Sequence, residues 1–79
     1  MKTYRITFDR IGRNHNVAPM LAKVDDAAPA EQLAAYIHKH ARPHLRSRDF
    51  DVFVELDKGT GFIACGMHTG GEFTIRLET

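Results

Sequence analysis

From Phe50 to Leu77 the chain alternates apolar and polar residues with a period of two, interrupted by two glycine-bearing gaps. FDVFVELD sets Phe50, Val52, Val54 and Leu56 against Asp51, Phe53, Glu55 and Asp57. GFIACGMH sets Ile63, Cys65 and Met67 against Phe62, Ala64 and His68, and GEFTIRLE sets Phe73, Ile75 and Leu77 against Glu72, Thr74, Arg76 and Glu78. Successive side chains of a strand point to opposite faces, so each segment is a strand with one buried side. YRITFD repeats the pattern near the start, with Tyr4, Ile6 and Phe8 inward. VAPMLAKV adds a strand with Met20, Ala22 and Val24 inward, and Pro19, which has no N–H to donate, places it at an edge or calls for a bulge there.

Helical spacing occurs once, in DDAAPAEQLAAYIHKHARPHL. Pro29 suits the first helical position, Glu31 suits the positive end of the dipole, and Leu33, Ile37 and Ala41, with Ala34 and Leu45 as further candidates, form an apolar stripe. Pro43 disfavours the α conformation at Arg42, so the helix should stop near Ala41. The reading is α+β, ββαβββ: two layers, with one helix packed on one face of a mostly antiparallel sheet and the other face open. This order resembles the ubiquitin-like β-grasp in outline, and the tight final meander departs from it.

Seventy-nine residues make one domain with a small core, and a single cysteine excludes an internal disulfide. With no leader-like start and no apolar run of the roughly 18–20 residues that cross a bilayer, the expected location is cytoplasmic. A net charge of +1 is too mild to imply nucleic acid from composition.

KGTGFIACG, residues 58–66, tests two functional motifs. A P-loop places its lysine after the glycines and opens a helix, whereas Lys58 precedes them and a strand follows. The stretch is similar to the base-stacking strand of RNA-recognition domains at Lys58, Gly59, Gly61, Phe62 and Ile63. Thr60 and Cys65 replace its stacking aromatics, and the gap before the last strand is too short for the second helix of that fold. Hairpin turns explain the glycines better. Pairing Val54 with Ile63 leaves a loop over Asp57–Thr60, and pairing Met67 with Phe73 puts His68 opposite Glu72 and leaves a loop over Thr69–Gly71.

That register places Phe53 and Phe62 diagonally on the open face with Arg5, Lys23, His68 and Arg76, an interaction surface for a second copy or another protein. The alternative is weak nucleic-acid binding through Lys39, Arg42, Arg46 and Arg48 in the basic stretch HKHARPHLRSR. His38 and His40 lie about 200° apart on a helix and cannot share an ion, and Pro43 separates His40 from His44. No metal or other cofactor is implied. Cys65 faces the core, and no nucleophile–base constellation stands out, so the expectation is a non-enzymatic accessory or inhibitor protein that acts by binding.

Overall fold

The computed structural model describes residues 1–45 and 49–78. Strands β1 (Lys2–Ile11) and β2 (Met20–Val24) precede helix α1 (Pro29–Ala41), and a 3₁₀ turn (Arg42–His44) leads toward β3 (Asp51–Glu55), β4 (Thr60–Cys65) and β5 (His68–Leu77). The strands form one antiparallel sheet in the order β2-β1-β5-β4-β3, curled into a half-barrel. The fold is α+β. The curl departs from the expected two layers with a helix packed on one face: α1 meets the sheet chiefly at its edge strands, β3 and to a lesser extent β2. Two bulges bend the strands, one at Asp9 between Phe8 and Arg10, the other at Gly70 where Ile63 and Ala64 change partners.

The helix begins at Pro29 without a side-chain cap, and Gln32 Oε1 reaches back to accept the Asp25 amide at 2.9 Å, tying the helix to the end of β2. Leu33, Ile37 and Ala41 are its buried stripe. They complete a core of Tyr4, Ile6, Phe8, Ile63, Phe73 and Ile75, in which Phe8 and Phe73 meet edge to face at 5.8 Å. No charged side chain is buried among the described residues. At the helix end Arg42 remains in the α region (φ −52, ψ −44), against the bias expected from Pro43. The chain tightens there into the 3₁₀ turn, and Pro43 occupies an early turn position where a missing N–H costs little.

Both hairpin registers differ from the sequence-based pairing. Val52 faces Ile63 and Val54 faces Gly61, so Leu56–Gly59 is the loop and Gly59 takes φ 67 at its end. The slip is two residues, which preserves facing but puts Phe53 directly opposite Phe62. In the second hairpin Cys65 pairs with His68 across Gly66 and Met67, with Gly66 at φ 65 as a tight turn with glycine first requires. Met67 therefore stands fully exposed instead of inward, and Gly70 and Gly71 lie in β5 instead of a loop. Close approach is the reason: a Cβ on Gly70 would run into Cys65 Sγ, and one on Gly71 would sit 2.5 Å from the Arg10 carbonyl.

Gly61 is confined in the same way, between the Phe73 ring and the Phe53 carbonyl. Gly61→Ala should cost about 1–3 kcal/mol, since overpacking must move an aromatic ring or backbone. At roughly 4–8 °C per kcal/mol for a domain of this size, calorimetry should show a clear fall in Tm. Gly66→Asn, at a turn with nothing within 4 Å of its Cβ, should cost much less. Equal losses at the two sites would refute this account.

Candidate functional site

The outer face of the sheet carries stacked aromatics in the open. Phe53 and Phe62 lie 4.9 Å apart at 20° and remain 47% and 38% exposed. Hydrogen-bonded neighbours define rows across this face. Glu72 and Arg10 continue the row of the two phenylalanines, and the adjacent row runs Thr7, Thr74, Thr60 and Glu55. A third joins Leu21, Arg5 and Arg76, while Lys23 lies beside Thr3.

The rows give the face a polarity. Lys23, Arg5 and Arg76 collect with exposed Leu21 toward β2 and β1, whereas Asp51 and Glu55 flank Phe53 on β3. Arg5 Nε donates to Glu78, Lys58 Nζ donates to Glu55 at 3.2 Å, and Arg10 pairs with Glu72 at 3.0 Å. Lys23, Arg76 and Asp51 have no ion-pair partner among the described residues. Like charges on paired Arg5 and Arg76 are thus only partly relieved.

The structure brings Phe53 and Phe62 together, pairs Arg5 with Arg76, and places Lys23 at the far edge of the same face. His68 is not with them. It opens β5 beside the hairpin turn, opposite Cys65, and Glu72 is instead a neighbour of Phe62 and Arg10. Lys39 and Arg42 are exposed at the end of α1, and Arg46 and Arg48 lie outside the described residues. Two histidines of the basic stretch are engaged in the fold. His38 stacks on Phe50 at 4.1 Å, and His40 stacks on Phe8 at 5.2 Å, so both rings serve packing.

A second feature joins residues that no sequence pattern linked. Arg10, Arg13, His44, Leu45, Cys65, His68 and Thr69 line a cleft of about 490 Å³ between the β1–β2 connection, the 3₁₀ turn and the β4–β5 hairpin. Cys65 and His68 share this cleft, whereas alternation along one strand had put them on opposite faces; the intervening tight turn returns them to the same side. Cys65 itself is 8% exposed, a poor position for a nucleophile. Among the described residues no three His, Cys, Asp or Glu side chains gather in a metal-binding arrangement, and no helix is long and apolar enough to cross a membrane.

His40 Nε2 is buried without a hydrogen-bond partner. Such an atom costs about 1–3 kcal/mol, and the ring's stacking on Phe8 needs no nitrogen. His40→Phe should therefore match or exceed the wild-type stability, with chemical denaturation as the measurement; a loss above about 1 kcal/mol would show that the nitrogen contributes to the fold. Compared with protein families, curated proteins and solved structures, the chain matches none.

Proposed function

We propose that the protein is a non-enzymatic binding module that associates with a second copy of itself through the outer face of its sheet. The exposed, stacked Phe53–Phe62 pair carries this reading, because exposed aromatics ordered on a sheet face are the usual core of an interface. The polarity of the face supports a second copy as the partner. A two-fold axis across the face opposes its unlike ends, bringing Lys23, Arg5 and Leu21 of each copy over Asp51, Phe62 and Phe53 of the other. In that arrangement the unpaired Lys23 and Asp51 meet opposite charges, Arg5 lies over an aromatic ring, and the threonine row between them allows close approach.

Sedimentation equilibrium should therefore give a mass above that of the single chain, falling as salt screens the end-to-end charges. Phe53→Ser with Phe62→Ser should yield a folded monomer, since anchors of this kind are worth about 2 kcal/mol or more each. Lys23→Glu and Asp51→Lys should each weaken self-association, and an equimolar mixture of the two variants should recover it as a mixed pair. A wild-type protein that stays monomeric at high concentration would end the self-association reading.

The alternative of nucleic-acid binding through Lys39, Arg42, Arg46 and Arg48 rests on the exposure of Lys39 and Arg42 alone. Oligonucleotide retention whose log affinity falls linearly with log salt, with a slope that flattens on replacing these residues, would favour it.

A further inference from the structure

We infer that the cleft between the β1–β2 connection, the 3₁₀ turn and the β4–β5 hairpin binds a small phosphomonoester. Its volume of about 490 Å³ lies in the range of small-molecule sites. The polar side chains around it are arginine, imidazole and hydroxyl groups, and among the described residues no carboxylate lines it. Arg10 is the fixed element. Its Nη1 donates to the Gly12 carbonyl at 3.0 Å, and its Nη2 donates to the Thr69 carbonyl at 3.1 Å and to Glu72 at 3.0 Å. Three of the five guanidinium N–H groups are thereby committed, and two remain on a side chain that cannot swing away.

Glu72 offsets the charge of Arg10, so the charge that attracts an anion comes from elsewhere. Arg13 is exposed at the rim and has no ion-pair partner among the described residues. His44 and His68 stand on the other two segments, with His44 Nδ1 held 3.2 Å from Asn14 Nδ2. With Nδ1 engaged by the Asn14 amide group, Nε2 is the His44 ring nitrogen left for a ligand. Side chains with donors from three segments line this one cleft and outnumber the two oxygens of a carboxylate, which favours the three oxygens and double charge of a phosphate ester. Leu45 and Cys65 add apolar surface for a compact organic body. The cleft owes its depth to glycine: a Cβ on Gly70 would collide with Cys65 Sγ, and one on Gly12, at φ 62, would press on the His44 carbonyl at 3.0 Å.

The test is a titration of the full chain with phenyl phosphate, inorganic phosphate and benzoate, read by calorimetry and by the imidazole resonances of His44 and His68. Phenyl phosphate should bind saturably at one site, more tightly than inorganic phosphate, which lacks the apolar body, and than benzoate, which lacks the third oxygen. Arg13→Gln should weaken it about tenfold or more, the worth of one charge-assisted hydrogen bond. Lys2→Gln, which removes one positive charge outside the cleft, should leave it within about twofold. Both positions are exposed, so neither variant threatens folding. The inference is overturned by an absence of saturation, by benzoate binding as tightly as phenyl phosphate, or by equal losses in the two variants.

Discussion

A single helix about 10 Å across has to cover the inner face of a five-stranded sheet that would be roughly 20 Å wide if flat. Everything else in the structure follows from how that mismatch is met. The sheet curls until its two edge strands, β2 and β3, both reach α1, so that Leu33, Ile37 and Ala41 are enough to close the core. Curling of this degree needs the bulges at Asp9 and Gly70, and it needs positions where one strand can press on another without a side chain between them. Gly61, Gly70 and Gly71 provide them.

The same curl sorts the surfaces by chemistry. Apolar residues of the strands are drawn inward around the helix, and what remains outside is a bent face with an ordered aromatic pair and unlike charges at its two ends. At the end of the half-barrel, the bulged strands deliver Arg10 and Thr69 to the cleft, because each extra residue changes which side the adjoining side chains face relative to the rest of the strand. The outer face and the cleft are thus two products of one deformation, the first of its convexity and the second of the irregular backbone that produces it.

Strand character, the helix and the facing of most side chains were legible in the sequence because alternation and helical spacing are local signals. Phe53 and Phe62 came out on the correct face even though their register slipped, since a slip of two residues leaves parity intact. Gly70 and Gly71 were not legible. Glycine marks a turn and a close approach equally well, and only the neighbouring Cys65 side chain and Arg10 carbonyl decide between them. That single misassignment carried Met67 inward and His68 to the wrong face. His38 and His40 look like part of a charge cluster in one dimension, but the rings they stack on are distant in sequence. The cleft was invisible for the same reason, its lining being drawn from residues 10–13, 44–45 and 65–70.

The two longest strands, β1 and β5, come from opposite ends of the chain and pair at the centre of the sheet. The Arg5–Glu78 contact spans 73 positions, and the Glu78 amide also donates to the Thr3 carbonyl at 2.8 Å. The loop-closure entropy of that pairing has to be met before any of its contacts are gained, so the order of folding is constrained. The β1–β2 pair and the β3–β4–β5 meander can each form from contacts close in sequence, whereas the β1–β5 pairing joins them across most of the chain and carries the largest loop-closure cost of the strand pairings. Until then β5 presents a ten-residue edge with its hydrogen-bonding groups unpaired, and this partly folded chain is the species most exposed to aggregation.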